Sequence, residues 1–346
     1  MRFFRFMFVS ILMLGLCACL EGCAVAVKKD VSAKDSISLV SWNVQTFFDG
    51  EKDGCEYDEF KKAGNWNREK YSVRLERLCN SIAAMDADIF VLIELENESV
   101  LQDISNCFAG GSWKTKDFWK YSCFAKPEDS GIGIGVLSRL ELSDFTTHAL
   151  DIRTQRSEEP SLRYLLEVTI DCGEKDFVLF ANHWKSMSGG EVETEIWRDW
   201  QESVLACRVA ELNNGSALPS VVICGDFNRD VSKFALTEGG VLLRGAGLAG
   251  AWGAGTGAVT DNVVKVYSPW LTENGAYSTD IGSYYFKEKW ERIDNIFVSD
   301  NINLTYFEPV ARSPWATEDK LPFEYKLYSG EGYSDHLPLM CRFTLK

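Results

Sequence analysis

Three histidines occur in the chain, and two of them stand beside other polar residues next to apolar runs. His183 follows Asn182 after FVLFA, and His336 follows Ser334 and Asp335 just before the last apolar stretch. An imidazole titrates near neutrality, so in such a place it can exchange a proton with a reacting group. His148 has no polar cluster beside it. Amides and carboxylates recur in the same kind of position. Asn43 ends the run in SWNV, Glu94 and Glu96 end DIFVLIEL, Asp226 and Asn228 end VVICGDFN, and Asp294 lies in ERIDNIFVS. Each of these alone reads as a turn or helix-capping residue. Charged groups at the mouths of buried strands are costly unless paired, hydrogen-bonded or bound to a cation. Their recurrence therefore points to one shared site.

The elements that must position these residues are short apolar runs. Strands are predicted at residues 39–44, 88–95, 132–138, 162–170, 177–183, 221–226, 292–298 and 337–345. Residues 68–85 carry Tyr71, Leu75, Leu78, Ile82 and Met85 at spacings of four and three, the pattern of an amphipathic helix. A second helix is predicted over 196–212, with Trp200, Val204 and Cys207 on one stripe. The Gly- and Ala-rich stretch 239–257 reads as loop. There is no internal repeat and no Pro- or Ser-rich linker. One site has to collect residues spread from Asn43 to His336, so a single domain with converging strand ends is expected.

Of the 346 residues 46% are hydrophobic and 13% aromatic, enough for a sizeable core and unlike a disordered chain. The formal net charge of −15 excludes a broad basic coat for nucleic acid. It does not exclude cleavage of nucleic acid through a metal and a local basic patch. At the N-terminus, Arg2 and Arg5 precede an uncharged apolar run at 6–16, too short for a span of ~20 residues and suited to a signal peptide. The LCAC sequence at 16–19 resembles a bacterial lipobox. It implies a signal peptide over 1–18, a lipidated Cys19, a tether over 19–37 and a domain over 38–346. Export would permit disulfides among the eight later cysteines. Cys79, Cys207, Cys224 and Cys341 sit in apolar segments and read as buried thiols, whereas Cys55, Cys107, Cys123 and Cys172 lie near loops and suit bridges better. No cysteine or histidine spacing fits a zinc site.

Taken together, SWNVQTFFDG, IELENESVL, NHWKSMSGG, GDFN, RIDNIFVS and SDHLP resemble the endonuclease/exonuclease/phosphatase superfamily, in its order and over residues 38–345. The likeness is nearest to bacterial secreted nuclease-like members. It implies an α/β (α+β) fold, a four-layer sandwich of two packed mixed β-sheets flanked by helices, with the site at one end. It further implies that Glu94 is the principal metal ligand, with Asn43 and Asp335 nearby, for Mg²⁺ or Mn²⁺. Asp226 would orient or deprotonate water, and Asn228 would hold that water or a phosphate oxygen. Asp294 would fix His336 against the phosphate, and His183 would contact phosphate or donate a proton. There are departures: Gln45 where relatives carry Glu, Ile93 where Gln is common, and Lys185 and Met187 where Arg and Pro are usual. Lys185 can replace part of a phosphate clamp as a point charge.

The expected function is metal-dependent phosphodiester hydrolysis, of DNA or RNA, by an exported lipoprotein at the periplasmic face or cell surface. Sphingomyelinase-like or inositol-phosphate phosphatase-like activity is the alternative within the superfamily, with phospholipid or inositol phosphate as partner. A lipoprotein that binds without turnover is the alternative from another class, and the complete set of site residues speaks against it. No protein partner is implied.

Overall fold

The computed structural model describes residues 36–346, apart from 65, 111–117, 151–159, 213–218, 239 and 246–261. The signal-peptide and Cys19 readings, and most of the tether, lie outside the described residues. In chain order the elements are β1 (Ile37–Phe47), α1 (Asp58–Lys62), α2 (Arg68–Met85), β2 (Ile89–Leu95), α3 (Glu98–Gly110), β3 (Tyr121–Ala125), β4 (Gly133–Ser138) and β5 (Glu141–His148). There follow β6 (Leu165–Asp171), β7 (Asp176–His183), α4 (Glu191–Glu211), β8 (Val221–Asp226), β9 (Ala235–Thr237), β10 (Gly240–Gly245) and β11 (Asn262–Val266). The chain ends with β12 (Tyr284–Phe286), β13 (Lys289–Glu291), β14 (Asp294–Val298), β15 (Ile302–Pro309) and β16 (Leu339–Leu345).

Two mixed sheets dominate. One runs β15-β16-β1-β2-β4-β3 and the other β14-β8-β7-β6-β5. Each contains one parallel pair, β1 with β2 and β7 with β8. Parallel neighbours need a long crossover, and α2 and α4 supply it. Period-two alternation along β2 then assigns the layers. Ile89, Val91 and Ile93 join the core shared with Val168, Phe180 and Ile223 of the other sheet. Phe90 and Leu92 face the opposite way and pack with Leu78 and Ile82 of α2 and Ile104 of α3. Leu205, Ala206 and Val209 of α4 close on the five-stranded side. Each fully buried Leu, Ile or Phe contributes about 1.5–3 kcal/mol over its exposed state, so both strand faces are held.

Every strand expected from the sequence is present within a few residues, and α2 has the expected bounds. The second helix starts at Glu191, ahead of 196, because the Gly190 carbonyl accepts the Thr194 hydroxyl at 2.7 Å and the first turn closes there. The expected loop at 239–257 is corrected in part: Gly240–Gly245 is β10, paired with β9 and β11, while most of the remainder lies outside the described residues. All eight described cysteines are free thiols. No helix among the described residues is long and apolar enough to cross a membrane.

Candidate active site

Strand register alone gathers half of the site. In the five-stranded sheet His183 of β7 pairs with Asp226 of β8, and Asp226 pairs with Asp294 of β14, so three functional side chains end adjacent strands in one row. In the six-stranded sheet Asn43 lies opposite Ile93, one residue before Glu94. β16 runs antiparallel to β1, which brings His336, three residues before β16, to the same end. Only glycine fits at position 225 (φ 136°), since a Cβ there would stand 2.0 Å from the Asn182 carbonyl oxygen. That approach lets β7 and β8 end side by side.

The β1–β2 end is irregular where the chemistry is. Register shifts between Asn43 and Phe47, and Gln45 (φ 55°), Thr46 (41°) and Glu94 (74°) all take left-handed backbone conformations. Such residues are strained and persist only when their surroundings over-determine them. Here Glu94 Oε2 accepts the Thr46 N–H at 2.5 Å, and Asn43 Oδ1 accepts the Gln45 N–H at 2.9 Å. The buried Arg74 of α2 donates to the carbonyls of Val44 (3.0 Å), Thr46 (2.9 Å) and Gln45. Its guanidinium sits over the Tyr325 ring at 3.7 Å, and burial brings its pKa down to about 9. Gln45 is bound to the Tyr325 backbone, accepting its N–H at 2.9 Å. The residue that departs from the superfamily pattern thus braces the bulge.

From this bulge Asn43 Nδ2 reaches across both sheets, donating to Glu94 Oε1 (3.0 Å) and Asp226 Oδ2 (3.1 Å). Asp226 Oδ1 accepts the Asn228 N–H at 2.8 Å. Burial, reinforced by the charge of Asp294, raises the Asp226 carboxyl to about 7. His183 Nε2 stands 3.6 Å from Glu94 and 3.8 Å from Asp226, while its buried Nδ1 has no partner. Burial and the charges of Arg163 and His336 hold His183 well below 6.5, so it is neutral. His336 is the opposite case. Its Nδ1 lies 2.7 Å from Asp294 Oδ2. Burial disfavours its charge, but Asp294, with Asp335 and Asp226, outweighs that and raises it well above 6.5. The ring is held by Tyr284 at 4.8 Å, by the Trp42 indole N–H on its carbonyl (2.9 Å) and by Ser334, whose hydroxyl donates to the Asn43 carbonyl (2.6 Å).

These groups line a cleft of about 660 Å³. Glu94, His183, Lys185, Asp226, Asn228, Asp335 and His336 face it, and Asn43 and Asp294 stand behind them through the bonds above. All nine catalytic, metal and substrate candidates of the sequence are therefore brought together. Glu96 is not in this cleft; it is buried in a separate group with Asp53 and Glu56. His148 also lies elsewhere, bound to Glu167 at 2.7 Å. A larger hollow of about 810 Å³, beside Arg77, Arg312 and Tyr333, has no histidine among its lining residues.

The structure adds residues that the sequence reading missed. Arg163, just before β6, lines the cleft and donates to the Trp184 carbonyl (3.1 Å), which also accepts from Asn228 Nδ2 (3.2 Å). It hydrogen-bonds the Tyr57 hydroxyl as well. Lys185 is in place, but its ammonium is directed to its own loop, donating to the carbonyls of Ser186 (3.2 Å) and Ser188 (3.4 Å). Arg163 thus supplies the guanidinium that the NHWKSM segment lacks.

The donor set fits a hard divalent cation. Glu94, Asp226 and Asp335 converge on the cleft with the amide of Asn43, and burial together with carboxylate neighbours raises Asp226 and Asp335 above ordinary carboxylate values. Oxygen donors that repel one another in this way are what Mg²⁺ or Mn²⁺ relieves. Asp226, Asp294 and His336 also present ligand atoms within 4.8 Å of one another, but the Asp294–His336 hydrogen bond already occupies two of the three.

A profile of the Endonuclease/Exonuclease/phosphatase family matches residues 38–310. No curated protein matches the sequence. Among solved structures, an endonuclease/exonuclease/phosphatase family protein from Bacteroides thetaiotaomicron is similar, with 14% identity and a TM-score of 0.54 over 90% of this chain and 98% of that one. D. rerio TDP2 complexed with single strand DNA product has 17% identity and a TM-score of 0.50, over 90% of this chain and all of that one. ANGEL2, a 2′,3′-cyclic phosphatase in complex with adenosine-2′,3′-vanadate, has 14% identity and a TM-score of 0.56, over 90% and 96%. At these identities the structures establish the likeness of the fold.

Proposed function

Because this chain belongs to the endonuclease/exonuclease/phosphatase family, we propose that its cleft hydrolyses phosphodiesters of nucleic acid with a divalent cation. The observation that carries this reading is the Asp294–His336 pair set beside Asp226 and the Asn43–Glu94 bulge in one cleft. Asp226, in its ionised form, takes a proton from the attacking water, and Asn228 holds that water in place. His336, charged and backed by Asp294, donates from its free nitrogen to a phosphate oxygen and stabilises the charge that develops there. Neutral His183 contacts the phosphate beside it. Arg163 clamps a non-bridging oxygen, a task its planar guanidinium suits better than the self-engaged Lys185. Asn43, Glu94 and Asp335 would hold the cation, Mg²⁺ or Mn²⁺, which when bound neutralises the phosphate toward an anionic nucleophile.

Nucleic acid is favoured as substrate because two proteins of similar fold are described with nucleotide ligands, one with single-stranded DNA and one with an adenosine derivative. The net charge of −15 confines recognition to the cleft. The leader and the LCAC sequence place the enzyme outside the cytoplasm, anchored through Cys19. The test is a panel of duplex and single-stranded DNA, RNA, sphingomyelin and inositol phosphates, with Mg²⁺, Mn²⁺ or EDTA. Cleavage of a nucleic acid that EDTA abolishes supports the proposal. Turnover confined to sphingomyelin or inositol phosphates moves the substrate class, and no metal-dependent turnover of any of them contradicts it.

A further inference from the structure

Cys79 and Cys107 occupy neighbouring helices on the outer face of the six-stranded sheet. Cys79, on α2, is fully buried, and Cys107, on α3, is partly exposed and packs against the same apolar cluster. The two thiols are hydrogen-bonded to each other, so the sulfurs already face across the α2–α3 contact. That contact is fixed at a second point, where the Tyr71 hydroxyl of α2 donates to Asp103 of α3 at 2.8 Å. The pair is therefore held in register without any bond between the sulfurs. Its two members also differ in access: one can be reached by a reagent in solvent, and the other cannot.

We propose that Cys79 and Cys107 are an oxidisable pair that closes to a disulfide, fastening α2 to α3 on either side of β2, the strand that carries Glu94. The oxidant is a small or protein disulfide, such as oxidised glutathione. The Cys107 thiolate attacks one sulfur of that reagent, forming a mixed disulfide and releasing one thiolate. Cys79 loses its proton to solvent and attacks the Cys107 sulfur, forming the internal disulfide and expelling the second thiolate. Two protein thiols give up two electrons and two protons, and the reagent disulfide becomes two thiols. The asymmetry of the pair suits this order. The hydrogen bond from Cys79 lowers the pKa of Cys107, the exposed member that must react first, while that bond and burial raise Cys79. The cross-link closes a loop through β2 and so restricts the unfolded chain.

The experiment equilibrates the full chain with oxidised and reduced glutathione, then denatures it, alkylates it and maps its peptides by mass. The expected result is Cys79 and Cys107 protected from alkylation and recovered in one linked peptide. The thermal midpoint should lie several degrees above that of the reduced protein. Cys107→Ala, a change at a partly exposed position, should remove that difference. Alkylation of both cysteines after equilibration in strongly oxidising buffer would overturn the proposal, as would linkage of either to another cysteine.

Discussion

His336 Nδ1 lies 2.7 Å from Asp294 Oδ2, and His148 Nε2 lies the same distance from Glu167 Oε2. Length and partner type do not distinguish these pairs; their surroundings do. Glu167 is also gripped by Arg208, which donates Nε to Oε2 (2.7 Å) and Nη2 to Oε1 (2.9 Å), so both oxygens are committed to a strut between β6 and α4. Desolvation would raise the Glu167 carboxyl, but the bonds from His148 and Arg208 prevail and hold it at about 2. Around His336 no arginine intervenes. Asp294 charges the ring, and its other nitrogen is left to a cleft lined by Glu94, Asp226 and Asp335. A histidine–carboxylate pair becomes a catalytic element only when the carboxylate is not already neutralised and the ring has a second nitrogen with work to do.

The comparison can be broken at several points. The same change, carboxylate to amide, should separate the two regions most widely at Glu94 and Glu167. Glu94→Gln should cost about 10³-fold or more in turnover, as loss of a cation worth several kcal/mol implies, and EDTA should do the same. Glu167→Gln should leave turnover within about two-fold, being remote from the cleft. Steady-state kinetics with circular dichroism as a folding control check both. At the histidines, His336→Ala should lower turnover by roughly 10²–10⁴-fold, whereas His148→Ala should leave it nearly unchanged. Equal losses from the two histidine variants would erase the distinction.

Arg163→Met should lower kcat/KM by about 10–10²-fold, with a larger share in KM than for His336→Ala, since it removes ground-state as well as transition-state binding. The smallest effect is on stability. Glu167→Gln should destabilise the fold by about 2 kcal/mol at neutral pH, the scale of hydrogen bonds to charged groups. Because the folded pKa of about 2 lies below the ordinary 4.5, the stabilisation is complete above about 4.5 and is lost as pH falls toward 2. Urea titrations of wild type and variant should therefore converge as pH is lowered, and a constant difference would contradict the assignment.

Much of this contrast was legible beforehand, and the reasons are physical. Buried runs such as FVLFANH and VVICGD leave no ambiguity of strand or end, so the polar residue that terminates each one is visible in the sequence. The edge strands β3, β5 and β15 escaped because half-exposed edges carry no continuous apolar run; β5, at its sheet edge, buries none of its side chains fully. Helix α3 had a signal that went unread: Asn97, whose Oδ1 accepts the Val100 N–H at 3.0 Å, followed by Val100, Leu101, Ile104 and Phe108 on one face. The left-handed conformations of Gln45, Thr46 and Glu94 had none, since nothing in those residue types announces positive φ. Arg163 and Arg74 were hidden for a related reason. An arginine before a strand or on an amphipathic helix reads as solvated, and only the tertiary structure shows one facing the cleft and the other buried beneath the bulge.

The central claim is that Asp294 and His336 act as one unit, and a double-mutant cycle on the substrate that the panel identifies tests it most directly. Asp294→Ala and His336→Ala should each cost about 10²–10⁴-fold in turnover, and the double variant should be hardly worse than the poorer single one. Fully multiplicative losses would show that the two residues work independently, and near-normal turnover by His336→Ala would contradict the mechanism outright.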